Sequence, residues 1–249
     1  MIDAIGVRPP ATLAVEGCAV DVDPRAPWTR PVAALTEDRC TLVVSWASGL
    51  GHPLLVDPQW VPTGNMLNPR THHQATFIDD VGVLLSGGFD LSGAPLAAAE
   101  LLCPPEICLS STFSPTRAMA AARGNHRAVG LDDGRVLVAG GRTARAAGAA
   151  LASAELYDEQ TGTFAGLPAM QHARDGHTAT KLEPSGRVLV AGGHGTTSST
   201  AELYDPASQT FAAPIAMTTR RRDHAAESLA SPGRALLAGG VGPSDFVLQ

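Results

Sequence analysis

Short hydrophobic runs, each ended by a pair of glycines, recur along the chain at nearly even intervals. Val83-Leu-Leu-Ser-Gly-Gly88, Val136-Leu-Val-Ala-Gly-Gly141, Val188-Leu-Val-Ala-Gly-Gly193 and Ala235-Leu-Leu-Ala-Gly-Gly240 carry the same signal. Such runs are apolar without alternation, as expected of a strand covered on both faces. Before each run stands a stretch of alternating character, seen in His177-Thr-Ala-Thr-Lys-Leu182, and then a turn such as Asp132-Asp-Gly134 or Glu183-Pro-Ser-Gly186. These turn residues tolerate the dihedrals of a tight reversal. After the glycines comes a third segment, Ala99-Glu-Leu-Leu102, Ala154-Glu-Leu-Tyr-Asp158 or Ala201-Glu-Leu-Tyr-Asp-Pro206. A fourth carries Phe113, Phe164 or Phe211 and closes near Met119, Met170 or Met217. The pattern predicts an all-β chain with four short strands per unit.

The glycine pairs Gly87-Gly88, Gly140-Gly141, Gly192-Gly193 and Gly239-Gly240 are spaced by 53, 52 and 47 residues. A repeat near 50 residues with a double glycine is a propeller-blade signature. Missing Cβ atoms at such a pair permit positive φ and close backbone approach. No single unit can bury both of its own faces, so neighbours must stack. The repeat resembles the kelch family, whose blades join a hydrophobic run and Gly-Gly to a downstream Tyr and Trp. The likeness covers nearly the whole chain. It is close in the third and fourth units, while the second has Leu102 at the Tyr position, and Phe stands at the Trp position in all three. The resemblance implies a kelch-type β-propeller of the galactose-oxidase-like kind. The copper radical chemistry of that kind needs tyrosines at one unique site. Here both tyrosines, Tyr157 and Tyr204, sit at the repeat position, so no copper site is expected.

The first unit is eroded but readable. Arg30 takes an opening position, Thr41-Leu-Val-Val-Ser45 is its buried strand, and Trp60 and Met66 fill the late aromatic and closing positions. The last unit ends soon after Gly240, whereas Cys18-Ala-Val-Asp-Val-Asp-Pro24 and Trp28 read as a third and fourth strand. Residues 1–29 are therefore expected to complete the blade begun at Arg221, which would close the ring and leave no edge. The expected blades are 30–69, 70–122, 123–173, 174–220, and 221–249 completed by 1–29, in one domain spanning 1–249. That makes five four-stranded blades. Kelch rings usually have six or seven, so a piece of a larger ring is the competing reading.

A length of 249 residues suits one domain with an ample core. The net charge of −6 argues against a nucleic-acid partner, which needs a basic face. No run reaches the roughly 20 apolar residues of a membrane span, and the first residues lack the basic and apolar regions of a signal peptide. Cys103 and Cys108 bracket Pro-Pro-Glu-Ile, where a disulfide across a hairpin is geometrically reasonable. With Cys18 and Cys40 the count is even and no cysteine repeats between units. An oxidising compartment, extracellular or at a cell surface, fits that usage, as four thiols without a bond would fit a reducing one.

Each unit opens with Arg-x-x-His: Arg70 to His73, Arg123 to His126, Arg174 to His177 and Arg221 to His224, with Arg30 in the eroded unit. In a propeller equivalent positions form a ring. Five guanidiniums near one mouth of the channel would attract a carboxylate or phosphate, and are the candidate ligand-binding groups. Alternatively each Arg serves the repeat by pairing with Glu155, Glu202, Asp158 or Asp205. His73, His126, His177 and His224 read as structural groups bonded to a neighbouring blade. A metal is not expected, because carboxylate or Cys ligands at one non-repeating site are missing. Residues 89–98, 142–152 and 194–200 are loops after the second strands, on the same face as the arginines. Variable loops on a rigid ring are where recognition is expected. Neither a catalytic motif nor a cofactor-binding loop is present. The expected function is a non-catalytic scaffold or binding module for a protein or glycan. A carbohydrate-active or other small-molecule enzyme at the channel mouth is the alternative. A fragment of a larger surface protein, with recognition elsewhere, is a third reading.

Overall fold

A computed structural model describes residues 64–103, 112–194, 199–229 and 232–242, and the backbone of two strands nearer the N-terminus. The chain divides into two compact units, Met1–Pro62 and Thr63–Gln249. In the first, β1 (Ala11–Glu16) pairs antiparallel with β2 (Thr41–Trp46). Residues 18–24 and Trp28, which the closure reading assigns to the last blade, lie outside the described residues, as does Arg30.

The second unit is a succession of antiparallel sheets, and the described residues contain no helix. The first sheet joins β3 (Gln74–Ile78), β4 (Gly82–Ser86), β5 (Ala99–Cys103) and β6 (Thr112–Pro115) in chain order. The second joins β7 (Arg127–Gly130), β8 (Val136–Ala139), β9 (Ala154–Asp158) and β10 (Thr163–Leu167) in the same way. The third runs β11 (Thr178–Leu182), β12 (Arg187–Ala191), β13 (Thr200–Asp205) and β14 (Thr210–Phe211), with β15 (Ile215–Ala216) also pairing with β13. Finally β16 (Ala225–Ser228) pairs with β17 (Ala235–Ala238). The first strands of successive sheets, β3, β7, β11 and β16, lie side by side in chain order.

The apolar run of β8 is buried along its whole length because its two faces enter two different cores. Val136 and Val138 pack with Ile78, Leu84, Met119 and Tyr157 against the preceding sheet. Leu137 and Ala139 pack with Leu156, Met170, Val188, Val190 and Tyr204 against the following one. Side chains alternate faces with period two, so a strand between two apolar sheets must be apolar at every position. β11 alternates instead: it is buried at Thr178, Thr180 and Leu182 and only partly so at Ala179 and Lys181. The aromatic of each fourth strand meets the Tyr of the third: Phe164 opposes Tyr157 with rings 4.9 Å apart, and Phe211 opposes Tyr204 at 5.1 Å. Leu102 opposes Phe113 in the first sheet.

The glycine pairs are the joints between sheets. The second glycine donates its N–H to the carbonyl of the next unit's motif Arg: Gly88 to Arg123, Gly141 to Arg174 and Gly193 to Arg221, at 2.8, 2.8 and 3.1 Å. Gly140 sits at φ 65°, and a Cβ there would lie 2.5 Å from the Arg174 carbonyl oxygen and 2.6 Å from His177 Cε1. Glycine is therefore required twice over, for the dihedral and for the approach of the next unit.

Cys103, the last residue of β5, is disulfide-bonded, and no described cysteine is free. Cys108 lies outside the described residues. Among the described residues no helix is long and apolar enough to cross a membrane.

Gly162 supplies a control for the joint. It has φ 64° but open space around its missing Cβ. Gly162→Ala is expected to cost about 1–2 kcal/mol, for the dihedral alone. Gly140→Ala is expected to add a further 1–3 kcal/mol, of order the penalty for overpacking. Urea midpoints of the two variants check this, and equal losses would remove the steric role assigned to the joint.

Candidate functional site

The motif arginines are buried inside their own units. Arg123 and Arg174 are wholly buried and Arg70 is 6% exposed. Each reaches the Glu two residues into the third strand segment: Arg123 to Glu155 at 2.8 Å, Arg174 to Glu202 at 2.9 Å, and Arg70 to Glu100. The same guanidinium donates to the carbonyl of the first glycine, Gly87, Gly140 or Gly192, and to that of Ala98, Ser153 or Thr200. The Glu completes the clamp by accepting two backbone N–H groups ahead of the Arg: those of Leu67 and Asn68, Ala120 and Ala121, or Gln171 and His172. Buried charges persist where they are paired and hydrogen-bonded in this way. Local pairing, not an exposed anion-binding ring, thus describes Arg70, Arg123 and Arg174. Arg221 is partly buried and donates to the Gly239 and Leu237 carbonyls at 3.0 and 3.4 Å. It has no described third strand beside it.

The motif histidines point across the joints. His126 Nε2 meets Ser86 Oγ of the preceding unit at 2.9 Å, and His224 Nε2 meets Thr178 Oγ1 at 2.9 Å. His177 is fully buried, and among the described residues neither of its ring nitrogens has a hydrogen-bond partner. Burial and then the Arg123 charge hold His126 down to about 3; burial and then Arg221 hold His224 at about 4. Burial and Arg127 hold His177 well below the usual value. All three are neutral in the fold. Among the described residues no group of three or more His, Cys, Asp or Glu is arranged to hold a metal ion.

The third residue of every Arg-x-x-His segment has a left-handed backbone: His72, Asn125, Gly176 and Asp223 have φ of 54°, 56°, 62° and 51°. Asn125 N–H donates to the His72 carbonyl and Asp223 N–H to that of Gly176. These links place the motif loops of adjacent units beside the loops that follow the glycines. The shared face seen in the sequence is the loop end of the strands.

Non-repeating charge collects there. Asp175, only 2% exposed, has His194 Nδ1 at 3.2 Å, Asn125 Nδ2 at 3.3 Å and Arg142 Nε at 3.4 Å. His194 Nε2 turns to Asp223 Oδ2 at 3.6 Å and to Arg222 Nη1 at 3.2 Å, and Arg222 also reaches Asp223 at 3.2 Å. A Cβ on Gly176 would lie 2.7 Å from both Asp223 and His194, so only glycine lets this cluster close. The cluster draws on three motif loops and two post-glycine loops. Residues equivalent to Asp175 are Thr71, Gly124 and Arg222, and those equivalent to His194 are Phe89, Arg142 and Val241. Reading the repeat by what it keeps passed over these residues. The available signal was the positions that differ inside Arg-x-x-His and just after Gly-Gly.

At the opposite, turn end lies a cleft of about 480 Å³ lined by Phe77, Asp79, Asp80, Asp132, Asp133 and Glu159, with Lys181. Part of its charge is spent internally, Lys181 pairing with Asp132 and Glu183, and Asp133 with Arg135.

No protein-family model matches the chain, and no curated protein matches it.

Removing one partner of a buried pair leaves an unpaired charge, so Glu155→Ala should cost about 3–5 kcal/mol. Arg187→Ala, which breaks the half-exposed pair with Asp205, should cost less than about 1 kcal/mol. Chemical denaturation of the two variants provides the comparison.

The neutral histidines also set a pH dependence. Their folded values lie below the unfolded value near 6.5, so from that pH downward the unfolded chain binds more protons and stability falls. From pH 7.5 to 5, each deeply depressed His should cost about 2 kcal/mol. His126→Gln, which can keep the bond to Ser86, should lessen the total loss by that amount. Urea titrations at both pH values measure it, and an unchanged loss in the variant would contradict a neutral His126.

Proposed function

We propose that the chain is a kelch-type β-propeller acting as a non-catalytic binding or scaffolding module, which recognises a protein or glycan through the loop end of its strands. One observation carries this reading. The repeated charges Arg70, Arg123 and Arg174 are buried in clamps with their glutamates, whereas the charges that do not repeat, Arg142, His194, Arg222 and Asp223, stay partly exposed together at the loop end. A rigid scaffold with a variable polar face is the arrangement recognition modules use. The double-glycine joints and the side-by-side first strands support the propeller as its frame. The disulfide at Cys103 supports an extracellular or cell-surface setting.

A second reading has an observation of its own. His194 lies between the buried Asp175 and the exposed Asp223, an order suited to moving a proton. It would make the loop end the site of a carbohydrate-active or other small-molecule enzyme.

Glycan arrays and displayed peptide libraries, probed with the wild type and with an Arg142→Ala/Arg222→Ala variant, separate these readings. The binding module predicts ligands retained without turnover by the wild type and lost by a variant that still folds. Ligands retained equally by the variant would overturn the assignment to the loop end. Release of new reducing ends from the glycans, abolished by His194→Ala, would favour the enzyme.

A further inference from the structure

His194 differs from the motif histidines in being open to solvent, with its side chain 33% exposed. Its two ring nitrogens meet groups of opposite kinds. Nδ1 faces two acceptors, the Asp175 main-chain carbonyl at 3.1 Å and Asp175 Oδ2 at 3.2 Å, so it is Nδ1 that carries a proton. Nε2 lies 3.2 Å from Arg222 Nη1. A guanidinium has donors and no acceptor, so this contact is a hydrogen bond only when Nε2 offers its lone pair. The arrangement is that of the neutral ring, its tautomer set by Asp175 on one side and Arg222 on the other.

Nε2 has a second neighbour. Asp223 Oδ2 is 3.6 Å away, an acceptor that a lone pair cannot use. A proton on Nε2 reverses the preference: the new N–H is repelled by the Arg222 donors and attracted to Asp223. The two contacts exclude one another. Among the described residues, the charged groups that face the ring come from three units. Asp175 belongs to the motif loop opened by Arg174, and Arg222 and Asp223 to the one opened by Arg221. Arg142, in the post-glycine loop of the unit opened by Arg123, acts on it through Asp175, where Asn125 also donates. Two carboxylates and two guanidiniums leave this cluster balanced around a neutral ring and positive by one around a charged ring.

We propose that His194 is a proton-operated switch at the loop end, whose Nε2 exchanges Arg222 for Asp223 on protonation. In the neutral state Arg222 Nη1 is held against the ring. In the charged state His194 bridges Asp175 and Asp223, tying together the motif loops of two adjacent units, and Arg222 turns from the ring toward the exposed face. The coupling is reciprocal: an acidic group of a ligand that engages Arg222 draws it off the ring and favours uptake of the proton. The bearing of the switch on recognition rests on the loop-end reading above, whereas the exchange of partners needs no ligand.

The test is a pH series on the ligand-free protein with isotope-labelled histidine and arginine, followed by NMR from about pH 8 to about pH 5. The expected result is a change of His194 Nε2 from an acceptor to an N–H as the pH falls. The Arg222 guanidinium signals should move along the same curve, while those of Arg145, at an exposed loop position, should not. Asp223→Asn should shift the change to lower pH and Arg222→Ala to higher pH. An N–H on Nε2 already present at the upper end, Arg222 signals that do not follow the ring, or a change that neither variant shifts would overturn the switch. Because no ligand takes part, failure here is distinct from failure of the loop-end reading, which the array experiment decides.

Discussion

The buried Arg–Glu pair is the constraint around which each repeat is organised. The Nη donors of a guanidinium taken out of water need partners. In Arg123 and Arg174 they are a carboxylate, the carbonyl of the first glycine, and the carbonyl and hydroxyl of the residue two before the Glu. One side chain therefore ties the motif loop, the second strand and the third strand of a unit together. The Glu then binds the incoming chain through two backbone N–H groups, so the segment leading into each sheet is fixed by the sheet it enters. The motif Arg also joins units, since its own carbonyl accepts the N–H of the preceding unit's second glycine. Clamp and joint share a residue, which is why Arg and Gly-Gly recur with one spacing.

That arrangement separates two kinds of polar residue. Those that repeat are consumed by the fold, and burial keeps the motif histidines neutral beside their arginines. Those that differ between units occupy the same loops without an assigned structural partner in every repeat, and are available to become specific to this chain. Asp175, His194, Arg222 and Asp223 interlock at the loop end for this reason, with Gly176 providing the space.

Strand positions were legible in the sequence because they follow from burial. Val136-Leu-Val-Ala139 has no polar residue since both faces of β8 meet apolar neighbours, and β8 has those bounds. The Tyr–Phe pairing was legible only as spacing, and the register supplies its reason. The partners of the arginines were less accessible. Glu155 and Asp158 are both acidic and both in the third strand, but Glu155 lies at the loop end and is buried, while Asp158 closes the turn end by accepting the Gln160 N–H. Which carboxylate an Arg meets depends on strand direction and register, not on spacing alone. The charged cluster at the loop end was illegible in a reading that sought recurrence, because its members come from three units and recur in none.

Exchange of the arginine side-chain protons tests the central claim directly. If the motif arginines serve the fold, guanidinium N–H signals of Arg70, Arg123 and Arg174 should persist at neutral pH with slow solvent exchange and stay unmoved by added anions. Exchange as rapid as that of the exposed Arg145, or movement of the Arg123 and Arg174 signals on adding phosphate, would mean that these groups are open to solvent and ligand, and the account of buried clamps would fail.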